Sequence, residues 1–104
     1  MSTSTASWNG HIIAASDNCI TFDNNTYFPP DALNKEFFTP SSHTSVCPWK
    51  GTANYMDVVV DGKSNANAMW VYNDPKSAAS PIKGYLAFWK GVAVKGAEFA
   101  KAVS

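Results

Sequence analysis

The dipeptide Asp61-Gly62 constrains this chain most. It stands between two runs rich in strand-forming residues, Ala53 to Val60 and Ala68 to Tyr72. Asp-Gly in that setting supplies the positive backbone dihedrals of a tight turn, so residues 53–72 are predicted as an antiparallel pair linked by Asp61 to Asn65. Strand alternation then sorts the side chains. Ala53, Tyr55 and Asp57 share one face of the first strand, opposite Asn54 and Met56. Ala68, Trp70 and Tyr72 share a face of the second, opposite Met69 and Val71.

The remaining chain reads as further short strands broken by turn residues. His11 to Ala15 and Cys19 to Phe22 flank Ser16-Asp17-Asn18 and are predicted to form a hairpin. Thr26-Tyr27-Phe28 is a third short strand, stopped by Pro29-Pro30. Pro30 to Leu33 and Ser77 to Ala79 suit single helical turns. Phe37-Phe38 is expected to pack inward before Pro40-Ser41-Ser42 breaks the chain. Tyr85 to Trp89 is a strand with Leu86 and Phe88 on one face, and Lys90-Gly91 turns it into Val92 to Val94. Ala97 to Val103 is alanine-rich and predicted helical, with Phe99 and Val103 spaced i, i+4. This pattern implies one mainly-β domain over residues 1–104, with short helical turns and a helical tail at 96–104.

Composition excludes several functions. Eight lysines balance eight acids, so no basic stripe is available for nucleic acid. Arginine is absent, which removes the planar fork that grips phosphate at two points. No stretch approaches the ~18 apolar residues of a membrane span, and the N-terminus lacks the pattern of a secretory leader. The chain therefore reads as soluble and cytoplasmic, with Cys19 and Cys47 as thiols. Two cysteines and two histidines, His11 and His43, lack paired-ligand spacing, so no metal and no cofactor are expected.

Chemistry concentrates between Ser41 and Gly51, in Ser-Ser-His-Thr-Ser-Val-Cys-Pro-Trp-Lys-Gly. Pro48 fixes one dihedral and Gly51 allows unusual ones, so the segment is expected to be a shaped loop between strands. Lys50 and Cys47 are the candidate catalytic residues. An ammonium three residues from a thiol in a tight turn favours the thiolate, although Cys47 reads more readily as a packed small side chain than as a nucleophile. Trp49, Tyr55, Trp70 and Tyr72 are candidate walls of an aromatic pocket, and Ser41 and His43 are candidate ligand contacts. As core packing, these aromatics would need no ligand.

At this stretch the sequence resembles the bacterial and fungal family called domain of unknown function 427, which also carries a nucleotidyltransferase-like label. The resemblance runs over residues 7–95. It rests on Trp8-Asn9-Gly10, on Thr26-Tyr27-Phe28-Pro29, and on Pro40-Ser41 with Cys47-Pro48-Trp49-Lys50-Gly51-Thr52-Ala53-Asn54-Tyr55. Ala68-Met69-Trp70-Val71-Tyr72 and Ile82-Lys83-Gly84-Tyr85-Leu86-Ala87-Phe88 complete it. The resemblance implies a β-tent-like fold, two small antiparallel sheets meeting at an angle. It carries no established activity with it. Nucleotidyl transfer normally uses clustered carboxylates to hold metal beside phosphate, and Asp57 and Asp61 are the one pair near the loop.

These readings lead to a small-molecule binding domain, or a simple cofactor-free enzyme, in which Lys50 anchors an anionic or carbonyl group. A thiol-dependent enzyme using Cys47 and a protein-interaction module are the alternatives, and a homodimer is left open.

Overall fold

The computed structural model describes residues 3–96 and the backbone of residues 101–102. The chain is mainly β, and its described residues form three small sheets. Strands β1 (Ser4–Trp8), β2 (His11–Ser16) and β9 (Ala93–Lys95) make the first, in the order β2-β1-β9. Strands β3 (Ile20–Phe22), β4 (Asn25–Tyr27) and β10 (Lys101–Ala102) make the second, in the order β10-β3-β4. The third is a four-stranded meander of β5 (Phe38–Cys47), β6 (Gly51–Val60), β7 (Lys63–Val71) and β8 (Leu86–Phe88). Short 3-10 turns occupy Pro30–Ala32, Lys35–Phe37 and Ser77–Ile82. Among the described residues no helix is long and apolar enough to cross a membrane.

The Asp61-Gly62 hairpin is present, with both residues at positive φ (51° and 78°). The strands close directly on this pair, Val60 opposite Lys63, so the linker is shorter than Asp61 to Asn65. The predicted hairpin across Ser16-Asp17-Asn18 does not form. Instead β2 pairs with β1 and β3 with β4, all antiparallel. The reason lies in the turns. Asn9-Gly10 (50°, 82°) and Asp23-Asn24 (50°, 63°) provide two consecutive positive dihedrals, matching the right-handed twist of the flanking strands. Residues 16–18 have none, and they carry the chain from one sheet to the next.

Two sheets were expected and three are found, because the first hairpin is a sheet apart from the second. The second sheet is not purely antiparallel either, since β10 runs parallel to β3. The predicted helical tail lies mostly outside the described residues. Of its described members, Gly96 is at positive φ (84°) outside any helix, and Lys101 and Ala102 are strand.

Strands β6, β7 and β8 contribute buried residues on both faces of the four-stranded sheet, whereas β5 beyond Phe38 is mostly exposed. Val58 and Val60 of β6, Met69 and Val71 of β7, and Leu86 and Phe88 of β8 join Ile13, Cys19 and Phe28 in one core cluster. Ala53, Tyr72 and Ala87 join Ile20, Phe22, Tyr27, Ala79 and Ile82 in the other, with Tyr55, Trp70 and Tyr85 packed against it. The alternation predicted for β7 holds at Met69 to Tyr72 and fails at Ala68, which packs in the first cluster. Ala68 lies in the irregular stretch 66–68, which stands opposite the single residue Asp57 where the β6–β7 register slips, and Asn67 there adopts φ 59°. Phe28 joins the second sheet to the third. Its amide donates to the Leu86 carbonyl at 2.7 Å, and the Leu86 amide donates back at 2.8 Å.

Candidate functional site

Ser41 to Cys47 is strand rather than loop. β5 is the outer strand of its sheet and reaches Cys47, which lies opposite Gly51 of β6. Pro40 is tolerated there because an edge strand need not donate every amide, and the register slips between Pro40 and Thr44. The shaped loop is therefore only Pro48-Trp49-Lys50. It is held from outside by the residues after β7. The Lys76 amide donates to the Lys50 carbonyl at 2.8 Å, and Lys76 Nζ donates to the Pro48 carbonyl at 2.7 Å. Gly51 closes the turn at φ 112°, a conformation that a side chain would strain, with the Asp74–Lys76 backbone packed beside it.

This turn sends alternate residues to different places. Trp49 is 44% exposed, and its ring lies 5.8 Å from that of Phe22. Lys50 points inward and is 8% exposed, the one buried charged residue among those described. Its Nζ donates to Asp23 Oδ2 at 2.7 Å and lies 5.2 Å and 5.7 Å from the ring centres of Trp49 and Tyr72. Burying an ammonium is costly unless it is paired, and a carboxylate with two aromatic faces supplies that compensation.

Lys50 lies at a solvent-open pocket of about 200 Å³, whose other walls are Tyr55, Trp70, Tyr72 and Trp89. Tyr55 and Trp70 are cross-strand neighbours on β6 and β7. Trp70 stands edge-on to Trp89, with ring centres 6.0 Å apart, and edge-on to the buried Tyr27 at 6.3 Å. The Trp70 indole donates to the Tyr27 hydroxyl at 3.3 Å. The Trp89 indole donates to the Asn67 carbonyl.

Of the residues predicted from sequence, Lys50, Tyr55, Trp70 and Tyr72 come together in this pocket, while Trp49 and Cys47 are not among its lining. Ser41 and His43 support the walls. His43 packs on Tyr55 at 4.7 Å, and the Ser41 hydroxyl bonds the side chain of Asn67, the residue that holds Trp89. Ser45, not predicted, shares a 2.8 Å hydrogen bond with the Tyr55 hydroxyl. Trp89, Tyr27 and Asp23 were missed. Trp89 was within reach of the alternation that puts Tyr85, Ala87 and Trp89 on one face of their strand. Asp23 carries no local signal, because its partner Lys50 lies far along the chain.

The electrostatics favour a charged lysine. Burial pulls the Lys50 pKa down, but the Asp23 hydrogen bond, the charges that Tyr27 and Tyr72 take on ionisation, and the Asp23 charge outweigh it. The group stands above the ordinary lysine value. Burial raises Tyr27, against the lowering effects of the Trp70 hydrogen bond and the Lys50 charge. Burial also raises Tyr72, with Lys50 opposing. Buried Cys19 is raised by desolvation, which outweighs its hydrogen bond with Ser4. In all four cases the folded protein holds its proton more tightly than the unfolded chain. Their contribution is therefore full below the ordinary values and lost as pH rises through the folded ones. The urea midpoint is expected to fall progressively above about pH 9, where cysteine, then tyrosine and lysine, titrate. A midpoint that climbs between pH 9 and the lysine range would contradict these assignments.

Among the described residues no group of three or more His, Cys, Asp or Glu side chains is placed to hold a metal ion. Asp57 is engaged in accepting the Asn67 amide at 2.8 Å, and Asp61 pairs with His11 at 3.1 Å.

These features define a small mainly-β domain with an aromatic-walled pocket beside one buried lysine. The chain belongs to the family described as a domain of unknown function (DUF427), whose model matches residues 2–98 and whose label refers to nucleotidyl transfer. No curated protein matches the chain.

Proposed function

We propose that the domain binds a small, flat, anionic molecule in this pocket, with Lys50 as the anchor for its negative group. The observation that carries the reading is the convergence of one buried ammonium and four aromatic side chains on a pocket of about 200 Å³. That volume lies below the roughly 300–1,000 Å³ of sites for drug-sized molecules, so it suits a metabolite of one ring. The raised Lys50 pKa favours an anion over a carbonyl, since attack on a carbonyl needs the neutral amine. The nucleotidyl-transfer label draws no support from Asp57 and Asp61, both engaged elsewhere.

The thiol-dependent alternative is weaker. Cys47 is half-buried at the end of β5, and the His43 ring packs on Tyr55. We further read the sheets as meeting at an angle, as in β-tent folds. The two free thiols fit a reducing, cytoplasmic setting.

A thermal-shift screen of small carboxylates, phosphates and nucleotides, the last with and without magnesium, tests the reading. A ligand that stabilises the wild type is expected to leave Lys50→Met unshifted, while the unliganded variant melts within a few degrees of wild type. If Lys50→Met binds as well as wild type, the anchor is misassigned. Stabilisation by nucleotides only with magnesium would favour the transferase label instead.

A further inference from the structure

Lys50 already has an anion before any ligand arrives. Asp23 occupies one of its three N–H donors at 2.7 Å, yet Asp23 is not among the residues lining the pocket. The pair is asymmetric. The Lys50 side chain is 10% exposed and that of Asp23 44%. Asp23 can therefore regain water by turning outward, whereas Lys50 cannot lose its counter-ion without standing charged and unpaired in a buried position. Asp23 also sits in the two-residue turn Asp23-Asn24, at the tip of the β3–β4 hairpin. The Phe22–Trp49 ring contact at 5.8 Å ties that hairpin to the Lys50 turn independently of the ion pair.

Resting on the pocket reading above, we propose that Asp23 is a built-in counter-ion that an anionic ligand displaces from Lys50. Asp23 thereby sets the pocket's preference between anionic and neutral ligands. While Asp23 is in place, an incoming anion meets its repulsion together with the attraction of Lys50, and a neutral ring meets neither. When the anion takes its place, the charge on Lys50 stays compensated and the Asp23 carboxylate is rehydrated. The exchange couples the pocket to the β3–β4 turn, so an anion in the pocket is felt at residues 23 and 24 and a neutral molecule is not.

The test titrates benzoate and its neutral counterpart benzamide into wild type, Asp23→Asn and Lys50→Met, followed by amide and indole resonances. Asparagine tolerates the positive φ of this position, so Asp23→Asn keeps the turn. Benzoate is expected to bind Asp23→Asn on the order of three- to tenfold more tightly than wild type, with benzamide unchanged. In wild type, benzoate but not benzamide shifts the amides of residues 23 and 24, and Lys50→Met no longer favours benzoate over benzamide. Equal benzoate affinity in wild type and Asp23→Asn, with both probes shifting the Trp70 and Trp89 indoles, overturns the counter-ion role and leaves the pocket standing. No response of the pocket to either probe in any variant overturns both.

Discussion

Phe28→Ala is expected to cost about 3–5 kcal/mol of folding free energy, measured by urea denaturation at neutral pH. The side chain is fully buried, and its ring packs edge-on to Phe88 at 5.5 Å within the larger core cluster. Position 28 is also where the backbone of the second hairpin bonds to β8 in both directions. Those backbone bonds survive the substitution, so the loss comes from the cavity beneath them. Domains of this size have about 5–15 kcal/mol of stability in all, and a loss of this order leaves a substantial unfolded population on mild heating. Phe28→Leu, which keeps most of the volume, is expected to lose less than half as much. A loss below about 1 kcal/mol for alanine would mean that the two sheets do not share this core.

Trp70→Ala is expected to be the most damaging change to ligand binding, weakening it by roughly thirtyfold or more, as hot-spot aromatics do. Trp70 forms one wall of the pocket, packs edge-on to both Tyr27 and Trp89, and donates its indole proton to the Tyr27 hydroxyl. Alanine removes the wall, frees the Trp89 ring on that side, and takes away the donor to a hydroxyl whose residue is fully buried. Trp70→Phe separates these effects. It retains a wall but not the donor, so binding is expected to recover in large part while some stability is still lost. Wild-type affinity in Trp70→Ala, measured by calorimetry with any ligand found in the screen, would show that the ligand sits elsewhere.

What could be read from the residues was local. Asp61-Gly62 specifies its turn through its own dihedral preferences, and strand alternation then places Tyr55, Trp70 and Tyr72 together whatever the rest of the chain does. The errors arose where local signals compete. Ser16-Asp17-Asn18 has turn-forming residues, but Asn9-Gly10 and Asp23-Asn24 have the paired positive dihedrals that tight hairpins demand. Pro40 and the serine-rich stretch after it look like a loop, yet the edge of a sheet accepts them. Trp49 and Lys50 are adjacent in sequence and remain in contact, yet the three-residue turn buries Lys50 and leaves Trp49 half-exposed. Asp23 was illegible for a different reason. Only the packing of one hairpin against another brings it to Lys50, and nothing in its neighbours announces that contact.

Whether the pocket beside Lys50 holds an anion is read out by soaking a crystal with small carboxylates. Electron density is expected for a flat molecule between Trp70, Tyr72 and Trp89, with its carboxylate against Lys50 Nζ and the Asp23 side chain turned away. Density for the same compounds only on the outer surface at Trp49, with the Lys50–Asp23 pair intact and the pocket empty, would contradict that placement.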